Sequence, residues 1–126
     1  HRKPWSKLFF QADGSTPLTP EKIDQWSTPL EMVRLGPSAS NRQPWRIVWD
    51  GERFHFYLHR TKGYSLPHFD IQKNDMGIAL CHFQLTASEL SLPGKWEKCI
   101  DDPDLTDFLV DLEDRYEWEY VSSWII

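Results

Sequence analysis

The sequence predicts an α+β fold, and three observations carry that reading. Two aromatic, β-branched runs at 45–49 and 53–58 are joined by Asp50-Gly51. Apolar residues recur at helical spacing from Met76 to Leu90. The segment 117–126 alternates and is β-rich toward its end. The resulting order of helix, hairpin, helix, strand, strand lacks the regular alternation of a parallel α/β sheet. With 126 residues, the chain is about one domain long and can bury a core without disulfide or metal staples.

Residues 1–18 hold Pro4, Pro17 and one apolar knot of Trp5, Leu8, Phe9 and Phe10, and read as an extended arm or linker ahead of a domain at 19–126. Thr19 before Pro20 is a helix start, because Thr can cap and Pro is preset for the first turn. The helix would bury Ile23, Trp26, Leu30 and Val33, with a kink or a division at Pro29. Gly36-Pro37 would stop it, with Gly36 left-handed. A polar loop, 37–44, leads into the hairpin, whose Asp50-Gly51 is expected to supply a primed two-residue turn. Asn74 or Asp75 is expected to cap a second helix running to about Ser91, with Met76, Ala79, Leu80, Phe83, Ala87 and Leu90 inward. Pro93-Gly94 ends that helix, 95–100 reads as a strand, 105–111 as a short helical turn and 117–126 as the last strand.

Composition narrows the function classes. Hydrophobic residues make up 40% and charged residues 26%, which is ordinary for a globular chain. The net charge is −5 and no Lys/Arg block is present, which argues against nucleic acid as a partner. The longest apolar run, near 76–81, is far short of a membrane span. Cys81 and Cys99 make no disulfide framework or metal spacing, and both read as buried, reduced thiols of a cytoplasmic protein. The chain has no starting Met, so it is expected to be processed or truncated. The 18 aromatic residues include Trp5, Phe9, Phe10, Trp118, Tyr120 and Trp124 near the two ends, more than one small domain readily hides, and self-association through them is expected.

Phosphate-binding glycine loops and the nucleophile elbow are absent from the sequence. His55 and His59 share a strand face and, with His68 or His82, could ligate a metal, but their spacing fits no known pattern and no metal is expected. The acidic run from Asp101 to Asp114 does not fit a calcium loop and reads as a solvated face. The loop 36–44 is more informative. Ser38, Ser40, Asn41 and Gln43 crowd hydroxyl and amide groups between a helix end and a strand, with Arg42 and Arg46 beside them. Such a loop can present N–H groups and short donors to a phosphate or a heteroaromatic edge, or it can satisfy its own backbone.

The segment Arg34-Leu-Gly-Pro-Ser-Ala-Ser-Asn-Arg-Gln-Pro-Trp-Arg46 resembles the signature of FMN-dependent nitroreductases, in which Pro-Ser is followed by Asn-x-Gln-Pro-Trp. Residues 75–83, leading to Pro93-Gly94-Lys95-Trp96, are similar to nitroreductases that carry two related halves in one chain, here the C-terminal half. The resemblance implies a half-domain of a flavoprotein fold that binds FMN between two halves or two subunits. It implies FMN contacts at Pro37, Ser38, Ala39, Ser40 and Asn41, with Gln43 and Arg46 as further contacts and Trp45 as a packing anchor. The family's Arg-rich strand that grips the FMN phosphate has no counterpart, since Arg2-Lys3 does not match it. The implied reaction takes hydride from NAD(P)H to the flavin and passes electrons to a nitroaromatic, a quinone or a similar small acceptor. No side-chain acid or base is required, so no catalytic residue is assigned. The fragment alone is expected to be inactive, needing a homo-oligomer or a missing N-terminal half of about a hundred residues. The alternative is a non-catalytic assembly module that keeps the fold.

Overall fold

The computed structural model describes residues 1–63 and 69–126. A five-stranded mixed sheet in the order β1-β2-β3-β5-β4 lies between two helical layers. The strands are β1 (Phe9–Phe10), β2 (Trp45–Trp49), β3 (Arg53–Leu58), β4 (Lys95–Glu97) and β5 (Glu119–Ile125). β1 runs parallel to β2, and every other pairing is antiparallel. The helices are α1 (Trp5–Leu8), α2 (Ser27–Leu35), α3 (Ile71–Glu89) and α4 (Thr106–Tyr116).

Strand alternation divides the core. Phe9, Ile47, Phe54, Phe56, Leu58 and Trp124 point toward α2 and α3, where they meet Leu30, Val33, Met76, Ala79, Phe83 and Ala87. Phe10, Val48, Tyr57 and Trp118 point the other way, onto Leu109 and Leu112 of α4. The Phe83 ring is fully buried, with Phe54, Phe56 and Trp124 at centroid distances of 5.4, 5.2 and 5.5 Å. A bulge adjusts β5: Phe56 faces Ser122 while Tyr57 faces Tyr120, so Val121 is an extra residue. Val121 and Ser122 therefore fall on one face, which returns Ser123 to the α4 side and Trp124 to the α3 side.

The hairpin strands fall where the aromatic runs predict, but the turn sits one residue further along. Trp49 pairs with Phe54 and the Asp50 amide donates to Arg53 O, which makes Gly51-Glu52 the central pair. Only Gly51 has positive φ (101°), at the position where a type II′ turn requires glycine. The Asp50 carboxylate replaces the second left-handed residue, accepting from the amides of Glu52 (2.8 Å) and Arg53 (2.7 Å).

Other expectations change. Residues 1–18, read as an extended arm or linker, dock onto the domain by their aromatics: Leu8, Phe9 and Phe10 are buried, and β1 extends the sheet. Pro29 makes no kink, because it is the third residue of α2, where a missing N–H is harmless. The chain breaks earlier, at Asp24 (φ 49°), between two short 3-10 turns. Gly36 is extended (φ −65°, ψ 153°), and small size is what matters there: a Cβ would lie 3.2 Å from Val33 O and 3.4 Å from His82 Nδ1. Helix α3 starts a turn early, capped by Asp70, whose carboxylate accepts from the Lys73 amide. Leu90 falls beyond its end and is exposed. β4 stops at Glu97, where a 3-10 turn at Cys99–Asp101 takes over, and α4 runs on to Tyr116. Cys81 is exposed, while Cys99 is buried and free. Phe9, Phe10, Trp118 and Trp124 bury within the chain, which removes the exposed aromatic patch on which self-association was argued.

Candidate functional site

The loop between α2 and β2 is held in an uncommon backbone shape. Ser40, Asn41 and Gln43 have φ of 50°, 53° and 50°, a region that non-glycine residues seldom occupy and that needs outside support. Support comes from three directions. Asp75, projecting from the second turn of α3, accepts from the Ala39 amide with both oxygens (3.0 and 3.2 Å). The Ser38 hydroxyl accepts from the Gln43 amide at 2.9 Å, closing the loop on itself. The N-terminal residues supply the third clamp: Gln43 accepts from the Lys3 amide (2.7 Å) and donates to His1 O (3.0 Å). Asn41 likewise donates to His1 O (2.8 Å) and accepts from the Arg2 guanidinium (2.9 Å). Asp75 was expected as a helix cap; its buried carboxyl instead braces the loop. Burial raises its pKa and the Ala39 amide opposes that rise.

Each expected contact residue has a defined place. Pro37, Ser40 and Asn41 are exposed, and Ser38 and Ala39 are half-buried. Gln43 is 2% exposed and its amide braces the N-terminal segment. Arg46 on β2 also braces the loop, donating to Gln43 O (2.9 Å) and Trp45 O (2.7 Å). Trp45 is fully buried in the α2/α3 core, as expected of an anchor, and its indole N–H has no partner among the described residues. A cleft of about 610 Å3 opens between Pro4, Trp5, Thr28, Glu31 and Arg34, and residues 37–43 do not line it.

The histidines go to separate partners. His55 bonds Asp50 (2.8 Å) and Ser123 (2.6 Å), His59 bonds Arg46 (3.1 Å), and His82 bonds Met32 O (3.2 Å). His68, weighed as a further ligand, lies outside the described residues. Among the described residues, no group of three or more His, Cys, Asp or Glu could hold a metal ion, and no helix is long and apolar enough to cross a membrane.

The profile of a protein family described as "Putative TM nitroreductase" matches residues 2–87, more than half of the chain. The chain belongs to this nitroreductase family. The matched stretch includes the braced loop, the hairpin and most of α3, so the nitroreductase signature and the observed loop geometry coincide. A putative nitroreductase from Thermotoga maritima, known from its crystal structure, shares the fold, with a TM-score of 0.60 and 24% identity over 99% of this chain. The present chain spans 42% of that protein's length. No curated protein matches the sequence.

The outer face of the loop carries a proline ring and small side chains, while the Ala39 and Gln43 amides and the Asn41 side chain are spent on bonds within the chain.

Proposed function

We propose that this nitroreductase-family chain is the loop-bearing half of an FMN-dependent oxidoreductase that takes hydride from NAD(P)H and reduces a nitroaromatic, a quinone or a similar small acceptor. The observation that carries the proposal is the Pro37–Asn41 face, kept open and rigid by Asp75, Ser38 and Gln43. When bound, FMN supplies the redox chemistry, accepting hydride and passing electrons on. The chain's own residues bind and orient. Asp75 fixes the Ala39 amide, so the peptide planes at 39–41 cannot turn away from the ring. Ser38 and Asn41 offer short polar contacts, and Pro37 and Ala39 offer apolar surface. Gln43 and Arg46 hold the loop from behind. Water is excluded only when a second surface closes over the face, so activity requires a companion half or a second copy.

The test is fluorescence-quenching titration of FMN into the chain, alone and joined to the rest of the longer protein. Ser38→Ala with Asn41→Ala is expected to weaken FMN about 5- to 100-fold, the worth of two hydrogen bonds. An unchanged affinity with an intact fold would remove both residues from the site. A second reading, a non-catalytic assembly module, is favoured by the way Asn41 and Gln43 are already engaged within the chain. It predicts a colourless joined protein, whereas the flavin reading predicts a yellow one absorbing near about 450 nm.

A further inference from the structure

Helix α3 is unusual on the side turned to solvent. A surface helix normally carries charges on its outer face. Between Lys73 and Glu89 the one Asp, Glu, Lys or Arg of α3 is Asp75, which is buried against the loop. His82 turns aside to Met32 O. The outer face consists of Asn74, Gly77, Ile78, Cys81, Leu85 and Ser88, which recur three and four apart along one side of the helix. Leu85 is 61% exposed, Cys81 is exposed, and a Cβ at Gly77 would meet nothing within 4 Å. Leu35, also exposed, extends the apolar surface at the end of α2, which adjoins α3 where Gly36 lies beside His82.

The face is complementary to itself. Gly77 and Leu85 lie equally far on either side of Cys81, and so do Lys73 and Glu89. A second α3 laid antiparallel across Cys81 would bring each Leu85 level with the other helix's Gly77. There it would enter the hollow between Asn74, Gly77, Ile78 and Cys81, as a knob fills a hole made by four residues of the facing helix. The same reversal sets the Lys73 end of one helix at the Glu89 end of the other, so opposite charges meet at both ends of an uncharged seam. A parallel pair would instead set Leu85 against Leu85 and Lys73 against Lys73.

We propose that α3 is the seam of a twofold-symmetric homodimer, in which the outer faces of two copies pack antiparallel with Cys81 at the axis. The occupant is a second copy because hollow, knob and end charge all find their complements on the same helix. Helices pack about 10 Å apart, which would set the two Cys81 Cα atoms about 5 Å from each other, within disulfide reach. The inference goes beyond the flavin reading and does not rest on it, since no residue of 37–43 enters the seam.

The test is sedimentation equilibrium of the 126-residue chain without flavin, from about 5 to 500 µM, the range in which a small interface dissociates. A reversible monomer–dimer equilibrium is expected. Leu85→Lys should weaken the dimer at least about 10-fold, as loss of a central anchor does, with the melting curve unchanged because the side chain is exposed in the single copy. Gly77→Leu puts two leucines in each layer of the seam and should weaken it similarly. Gly77→Leu with Leu85→Ala returns each layer to one leucine and should recover much of the affinity. Copper phenanthroline should join Cys81 to Cys81 in the dimer, and Leu85→Lys should slow that joining although the thiol is unchanged. A monomer throughout the range would overturn the proposal, and so would a dimer that Leu85→Lys leaves intact or a paired change that rescues nothing. If the longer protein is a monomer that shields Cys81 from alkylation, its other half covers the face and the second copy is overturned. A dimer without affinity for FMN would sink the flavin reading and leave the seam standing.

Discussion

The two ends of one hairpin solve opposite problems. At the turn end, Asp50 is saturated: it accepts from two backbone amides, from Arg53 Nε at 3.0 Å and from His55 at 2.8 Å. His55 is fully buried and passes the network on to Ser123, which in turn bonds Tyr120. At the loop end, Arg46, four residues before Asp50, spends its guanidinium on two backbone carbonyls and on His59, and positive-φ residues are held by braces from α3 and the N-terminal segment. The contrast is one of origin. The turn end is locked by polar groups of the hairpin and its neighbour β5 that satisfy one another, whereas the loop end keeps its backbone shape through residues brought from α3 and the N-terminal segment.

The comparison can be broken in four ways, taken from the largest expected effect downward. Phe83 packs on Phe54 and Phe56 midway between the two ends, so Phe83→Ala should lower unfolding free energy by about 3–5 kcal/mol in urea melts. A loss under about 1 kcal/mol would mean the ring is not the shared support. Asp50→Ala strips two turn amides and the buried His55 of their acceptor, and should cost about 2–4 kcal/mol by the same measurement.

The third test uses pH, where the two ends should have opposite signs. Asp50 is partly buried, which opposes ionisation, but the bonds from His55 and the two turn amides outweigh burial and hold its pKa well below the carboxylate range. Its contribution to stability is therefore complete above the unfolded value of about 3.9 and is lost as pH falls toward the folded value. Asp75 is raised by burial, so its contribution is complete below the unfolded value and is lost as pH rises through the folded one. Asp75→Asn keeps an oxygen for the Ala39 amide and removes the buried charge. It should leave stability at pH 7 unchanged or raise it by up to about 1 kcal/mol. A loss of more than that would show that the carboxylate itself is needed. The smallest effect is that of Ser38→Ala with Asn41→Ala, at most about 1 kcal/mol in melts, because Asn41 is exposed and only Ser38 closes a part-buried bond. A collapsed fold there would make the loop end as structural as the turn end.

Local chemistry made much of this legible. The hairpin strands follow from β-branched and aromatic residues flanking Asp-Gly, and the inward Phe83 follows from helical spacing. The loop was singled out by its donor density and by the family signature. What stayed hidden is non-local. Asp75 carries the same sequence signal whether it caps a helix or braces a loop 36 residues away. The His55 network depends on Ser123, which a bulge at Val121 turns to the required face, and no periodicity announces a bulge. The Asp50 side chain replaced a left-handed residue, and so the turn moved by one. Residues 5–10 offered only a short apolar knot, too little to reveal a parallel pairing with β2.

The position of β5 has a consequence for solubility. Among the described residues it is the strand that joins β4 to the rest of the sheet, and it pairs with β3 from Arg53 to Leu58. Gly94, with φ 134°, gives way to the Trp124 indole, whose N–H donates to Pro93 O at 3.0 Å, so the strand is latched at its far end as well. A variant that cannot seat β5, such as one with a side chain at Gly94, would expose a long aromatic edge with unpaired N–H and C=O groups. Such an edge recruits other chains. Seating β5 is therefore what keeps the β3 edge from pairing with another chain.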